Sequence, residues 1–263
     1  MRGITKYNGP LLAGLPPLRG LLPLLLLLVV WQIVQPGPSP YFPAPVEWWR
    51  AGLRLAHRTD LVAALLSTAL TFAVGLALAI TFGTIIGVMI GASPLLNRAL
   101  QPLLEFMRAI PPPATVPIAG LLIGYNEPMK LIVVVLAALW PILMNIAAAI
   151  RQIDPLLLDV ARSFRLSRWA TIQRITLPSI VPALLLGIRV AIPLTIILAL
   201  LVEMLTSLPG IGALMIQSQR NFQSSEVYAL LVLVGLFGLA VNDAFLLVES
   251  AILRCWPPRM TAS

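Results

Sequence analysis

Between Leu61 and Ala92 the chain runs for 32 residues without one charged side chain. As a helix that stretch would be about 48 Å long, more than the roughly 30 Å hydrocarbon core of a bilayer requires. Lipid offers the backbone no hydrogen-bond partners, so such a segment must satisfy its own N–H and C=O groups as a helix. Four further apolar runs share the constraint: Leu21 to Val34, Leu131 to Ile150, Ser179 to Val202 and Tyr228 to Val248. Gly75, Gly83, Gly87 and Gly91 on the longest run include small residues four apart, a spacing that lets helices pack closely.

Composition places the whole chain in the membrane class: 59% of the 263 residues are hydrophobic and only 11% charged. The net charge of +8 lies mostly in short loops, where it sets topology. No basic patch is interleaved with stacking aromatics, so nucleic acid is not an expected partner. One cysteine, Cys255, excludes an internal disulfide and a cysteine-based metal cluster. One histidine, His57, excludes a His-rich metal site within the single chain. No Gly-x-x-x-x-Gly-Lys-Ser/Thr run occurs, so ATP is not expected to bind here.

The connectors carry the polar information. Proline-rich residues 36 to 45 read as an extended link, and VEWWRAGLRLAHRTD after it as an amphipathic interfacial helix, with Trp48, Trp49, Leu53 and Leu55 set against Arg50, Arg54 and Arg58. SPLLNRALQ reads as a loop. Glu105 and Arg108, three apart, are placed to pair on one helical face. Pro111 to Pro113 and Pro117 then break LLEFMRAIPPPATVPIAGLLIG, which makes it a candidate pathway lining. Asn145 reads as an interhelical hydrogen-bond donor. Arg189 lies about 15 Å deep in its span, where it would either face an aqueous path or neutralise Asp243 or Glu105. Residues 204 to 227 read as a polar re-entry. Six spans with both termini inside put eleven Lys and Arg inside and five outside, Lys130 among the latter.

The longest basic interruption is Asp154 to Pro178. Asp154 and Pro155 make an N-cap with proline at the first helical position. Leu157, Val160 or Ala161, and Phe164 then recur at helical spacing, opposite Asp159, Arg162 and Ser163. Ser167 is placed to cap a second short helix, RWATIQRI, ended by Leu177 and Pro178, so the stretch reads as a rigid cytoplasmic knuckle. It resembles the EAA loop of ABC importer permease subunits, a pattern of Glu-Ala-Ala, three residues, Gly, and later Ile-x-Leu-Pro. The matching positions are Asp159, Val160, Ala161, Arg165, Ile175, Leu177 and Pro178, with Asp for Glu, Val for the first Ala and Arg for Gly. Leu104 to Pro112, Glu127 to Lys130, Pro141 with Asn145, Gly187 with Arg189, Glu203-Met204, Gly210 with Gly212, and Glu249 to Trp256 extend the likeness toward the nitrate, sulfonate and taurine branch.

The resemblance implies an all-α type I permease fold of about six transmembrane helices. Its expected parts are a cytoplasmic leader 1–20, a first membrane helix 21–35, a periplasmic connector with an interfacial helix 36–60, a core permease domain 61–253 holding the coupling loop 151–178, and a cytoplasmic tail 254–263. It implies a bacterial inner-membrane location with cytoplasmic termini, a permease homodimer in lipid, separate ATPase subunits carrying ATP and Mg, and a periplasmic substrate-binding protein. No cofactor, metal or catalytic residue is expected in this chain. ATPase coupling falls to Asp159, Val160, Ala161, Arg162, Ser163, Arg165 and Arg168, and the translocation path to Glu105, Arg108, Asn145, Arg189 and Glu203. The implied solute is an oxyanion such as nitrate, taurine or an alkanesulfonate; a pyrimidine or aromatic cofactor precursor would use the same architecture. A membrane-embedded enzyme would need clustered ionisable residues on facing spans, and an ATP-independent carrier would have no use for a docking knuckle.

Overall fold

The structure, a computed structural model, describes residues 18–254 apart from 36–38, 40 and 58. The leader up to residue 17, part of the proline-rich link, Arg58, and the tail with Cys255 and Arg259 lie outside the described residues. Among the described residues every regular element is helical. The order is α1 Leu18–Val34, α2 Pro45–Ala56, α3 Thr59–Ala92, α4 Pro94–Ala109, a 3-10 turn Pro112–Ala114, α5 Thr115–Ile123, α6 Glu127–Arg151, α7 Pro155–Ser163, α8 Arg168–Thr171, a π turn Ile172–Thr176, α9 Leu177–Thr206, α10 Ile211–Arg220 and α11 Ser224–Arg254. Four helices are long and apolar enough to cross a membrane, and α4 with α5 make a fifth if the bent pair counts as one span. α1, with 17 residues, is apolar but shorter than these, so the described residues give four or five such spans where six were expected.

α6 is the centre, with α3 against one side and α9 against the other. The small-residue stripe of α3 makes the first contact possible. A Cβ at Gly87 would sit 2.8 Å from the Leu143 carbonyl oxygen, and one at Gly83 3.0 Å from Ile142 Cγ2. Gly187 of α9 meets Ile142 from the other side, where a Cβ would lie 2.9 Å from its Cα. Ile142, Leu143 and Ile146 are fully buried as a result, packed with Ala79, Ala138, Ala191 and Ile192. α11 lies outside this core, with no residue of its most apolar window buried.

Several expectations change here. SPLLNRALQ is helical: Ser93 Oγ accepts from the Leu96 N–H at 3.3 Å, Pro94 opens the first turn, and the helix continues to Ala109. The prolines bend the next segment by 83° between α4 and α5. Within α4, Glu105 accepts from Gln101 at 3.0 Å, and among the described residues no ion pair joins it to Arg108. α2 is the expected amphipathic helix, but its buried face is Ala51 and Leu55, while Trp49 and Leu53 point outward. Trp48 stacks on Tyr228 of α11, ring centres 4.9 Å apart, and Trp31 of α1 meets both edge-on. Those aromatic contacts fasten the N-terminal helices to the start of α11. The polar re-entry is only a turn at 207–210, the helix α10 and a second turn, because α9 and α11 each extend several residues beyond their apolar runs.

Candidate functional site

Two polar assemblies sit at opposite ends of α9. The first is the basic knuckle, residues 154–176. Asp154 Oδ1 accepts from the Leu156 N–H at 2.9 Å and starts α7; Ser167 Oγ accepts from the Ala170 N–H at 3.2 Å and starts α8. α7 stops in a Schellman motif: the Leu166 N–H donates to the Ala161 carbonyl at 3.0 Å and the Arg165 N–H to the Arg162 carbonyl at 2.9 Å. That motif needs a left-handed residue, and Arg165 takes it with φ +50°. Glycine would hold the same turn without the Cβ cost of about 1–2 kcal/mol.

The second short helix does not end at Leu177 and Pro178 as its composition predicts. α8 passes through the π turn straight into α9, giving one helical run from Trp169 to Thr206. Proline lacks an N–H and clashes with the carbonyl four residues back. The widened π turn directly before Pro178 is the local adjustment that carries the helix through it.

The knuckle's apolar stripe is only partly buried. Ala161 is enclosed, but Leu157, Val160 and Phe164 are exposed, and Leu156 and Trp169 are 65% and 67% open. Arg162 pairs with Asp159 at 2.8 Å on the open surface, and Ser163 Oγ donates to the Asp159 carbonyl at 3.0 Å. Arg165 is also exposed; the Arg168 side chain lies outside the described ones. Beside the knuckle, Arg151 donates to Asn97 Oδ1 at 2.5 Å and ties the end of α6 to α4.

The second assembly is a polar clasp at the far end, built around two buried charges. Lys130 and Glu203 are both completely buried, 3.6 Å apart from Nζ to Oε1. Thr68 Oγ1 donates to the Glu203 carboxylate at 3.0 Å and accepts from the Ile211 N–H at 2.9 Å; the Gly212 N–H donates to Glu203 Oε2 at 3.0 Å. Lys130 also donates to the Pro209 carbonyl at 3.0 Å and to Ser67 Oγ at 3.3 Å, and it pairs with Glu127 at 2.8 Å. A Cβ on Gly210 would fall on the Glu203 carboxylate, so glycine there lets the turn close over it. Four elements are thereby joined: α3, α6, α9 and the turn leading to α10. Lys130 is thus a structural cation and not a loop charge, a role visible in the sequence only as an acid-flanked lysine at a helix start.

The groups expected along a path are dispersed. Glu105 and Arg108 are exposed on α4. Asn145 donates to the Pro141 carbonyl of its own helix at 2.7 Å, in place of the expected interhelical bond. Arg189 is about half exposed and pairs with Glu249 of α11, not with Asp243 or Glu105. Glu203 is walled into the clasp. Among the described residues no group of His, Cys, Asp and Glu is arranged to hold a metal.

An apolar helical bundle carrying a basic knuckle at one end and a buried polar clasp at the other has the architecture of a membrane-embedded subunit. Residues 79–252 match the family of binding-protein-dependent transport system inner membrane components, and the chain belongs to that family. It is similar to the bicarbonate transport system permease protein CmpB of Synechococcus elongatus, 29% identical over 268 residues that cover 96% of this chain and 94% of that one. It is similar also to the nitrate import permease protein NrtB of Synechocystis, 30% identical over 235 residues covering 86% of each. A chain of the inward-facing MetNI methionine ABC transporter shares its fold, with a TM-score of 0.63 at 15% identity, covering 75% of this chain and 96% of that one. The chain is therefore a multi-pass inner-membrane protein of the type I permease fold, the non-catalytic permease subunit of an ABC importer.

Proposed function

We propose that this permease carries a small oxyanion handed over by a periplasmic binding protein, and that residues 154–178 couple it to a separate cytoplasmic ATPase. The coupling rests on one observation: the knuckle leaves Leu156, Phe164 and Trp169 open to solvent on an element whose two helix starts are both capped. Apolar surface of that kind on a rigid, water-facing element is built to bury against protein. The arginine bias of the same stretch puts it on the cytoplasmic side. ATP and Mg belong to the partner, whose closure would push on the knuckle. Because α8 runs without a break into α9, that push passes along one helix of 38 residues to the turn beneath α10. Two copies would enclose the path in lipid, with Glu105, Arg108 and Arg189 on its wall and Asn145 and Glu203 supporting it from behind.

An oxyanion solute is supported by the bicarbonate and nitrate of the relatives' names. One observation favours a second solute class. Glu249 neutralises Arg189, so this membrane-depth cation does not by itself demand an anion, and a neutral pyrimidine or aromatic precursor would pass it equally well.

The test is reconstitution of the permease with its ATPase and binding protein in vesicles. Binding protein loaded with bicarbonate, nitrate or taurine is expected to stimulate ATP hydrolysis and solute uptake, and binding protein loaded with a pyrimidine is not. A Ser163→Cys variant, with cysteines at neighbouring knuckle positions, is expected to crosslink to the ATPase in a nucleotide-sensitive way. Absence of every such crosslink removes the coupling role.

A further inference from the structure

We infer that the cavity between the end of α9 and the last turns of α10 is an entry subsite for the oxyanion, with Arg220 as its charged group; this rests on the importer function proposed above. The cavity holds about 260 Å3 and is lined by Ser207, Ala213, Ile216, Gln217, Arg220 and Asn221. It lies at the end of α9 opposite the knuckle, where a solute delivered from the far side of the membrane first meets the chain. Below it runs the exposed stripe of α9, through Leu205, Ile197 and Val190 toward Arg189.

The chemistry of the lining selects an anion. A guanidinium, two carboxamides and a hydroxyl all donate hydrogen bonds, and no carboxylate stands in the wall. Arg220 makes no ion pair among the described residues, so its charge is not consumed within the chain. Its planar fork suits the paired oxygens of a carboxylate, nitrate or sulfonate. Ala213 and Ile216 add an apolar side against which a short alkyl group could lie.

A helix C-terminus is a poor place for an anion, because its last carbonyls point outward. Here three of the last four are occupied. The N–H groups of Asn221, Phe222 and Gln223 donate to the carbonyls of Gln217, Gln219 and Ser218 at 3.1, 3.1 and 2.9 Å. Closing that turn forces Phe222 to φ +56°, a conformation costly for an aromatic residue. The clasp then fixes the cavity's other wall, since Glu203 and Thr68 hold the first N–H groups of α10.

The experiment uses the complete transporter in vesicles, with binding protein carrying bicarbonate, nitrate, taurine or ethanesulfonate. Two quantities are read: solute imported per ATP, and the binding-protein concentration giving half-maximal ATPase stimulation. Arg220→Gln is expected to lower import per ATP at least roughly tenfold, the effect of one lost charge-assisted hydrogen bond, with the half-maximal concentration unchanged. Arg220→Lys, which keeps the charge but not the fork, is expected to retain more import than Arg220→Gln. Oxyanion import that is indifferent to Arg220→Gln overturns the subsite alone. A defect found wholly in the half-maximal concentration also overturns it, because Arg220 is then a docking contact for the binding protein. A wild-type complex that imports only neutral solutes overturns the oxyanion function and the subsite together.

Discussion

Replacing Lys130 by Met should be among the most damaging single changes in the chain, although sequence alone reads Lys130 as a loop residue. The ammonium is fully buried 3.6 Å from an equally buried carboxylate. At an effective dielectric near 20 their attraction is about 4–5 kcal/mol before desolvation is counted. Met keeps the volume but leaves the buried Glu203 carboxyl with only the neutral donors Thr68 and Gly212. Removing one partner of a buried pair typically costs about 3–5 kcal/mol. Glu203→Gln should cost less, about 1–3 kcal/mol, because Lys130 keeps Glu127, Ser67 and the Pro209 carbonyl. The double variant Lys130→Met/Glu203→Gln should cost at least about 1 kcal/mol less than the sum of the singles. Thermal unfolding of the purified protein in detergent reads all three, with Lys130→Met falling by roughly 6–20 °C on the scale of about 2–4 °C per kcal/mol. A Lys130→Met protein that melts like wild type, or strict additivity in the double variant, refutes the clasp as a structural unit.

Three further outcomes follow from the geometry. Arg165→Gly should raise the melting temperature slightly, because the relief at φ +50° exceeds the extra unfolded-state entropy by about 0.5–1 kcal/mol; a lower melting temperature contradicts this. Gly87→Val should destabilise by more than about 2 kcal/mol, since even its Cβ would meet the Leu143 carbonyl at 2.8 Å, whereas Gly235→Ala, with nothing within 4 Å, should be neutral or better in the same assay. Arg189→Gln should be destabilising alone and largely rescued by adding Glu249→Gln, which removes the carboxylate left unpaired; equal melting of the single and double variants would count against the pair.

The order of helices was largely legible in the chain. Long apolar runs, Asp154-Pro155 at a helix start, and the proline cluster at 111–113 act locally, through backbone hydrogen bonding and sterics, so they can be read without knowing the neighbours. The small residues on α3 likewise announced a close helix contact. Which helix they would contact was not legible; only the packed structure shows α6 filling the groove with Ile142, the Leu143 carbonyl and Ile146.

The polar groups divide along the same line. The knuckle could be recognised because its caps, charges and apolar stripe lie within 25 consecutive residues. The tertiary structure then decided what local pattern cannot: that α8 continues through a π turn into α9, so the knuckle and the far clasp share one helix. The partners of Lys130 and Arg189 were equally hidden. Beyond the local Glu127 that Lys130 also meets, each faces a carboxylate 60 or more residues away in sequence, at Glu203 and Glu249, and such a pairing depends on how three packed helices align in depth and not on any spacing along the chain.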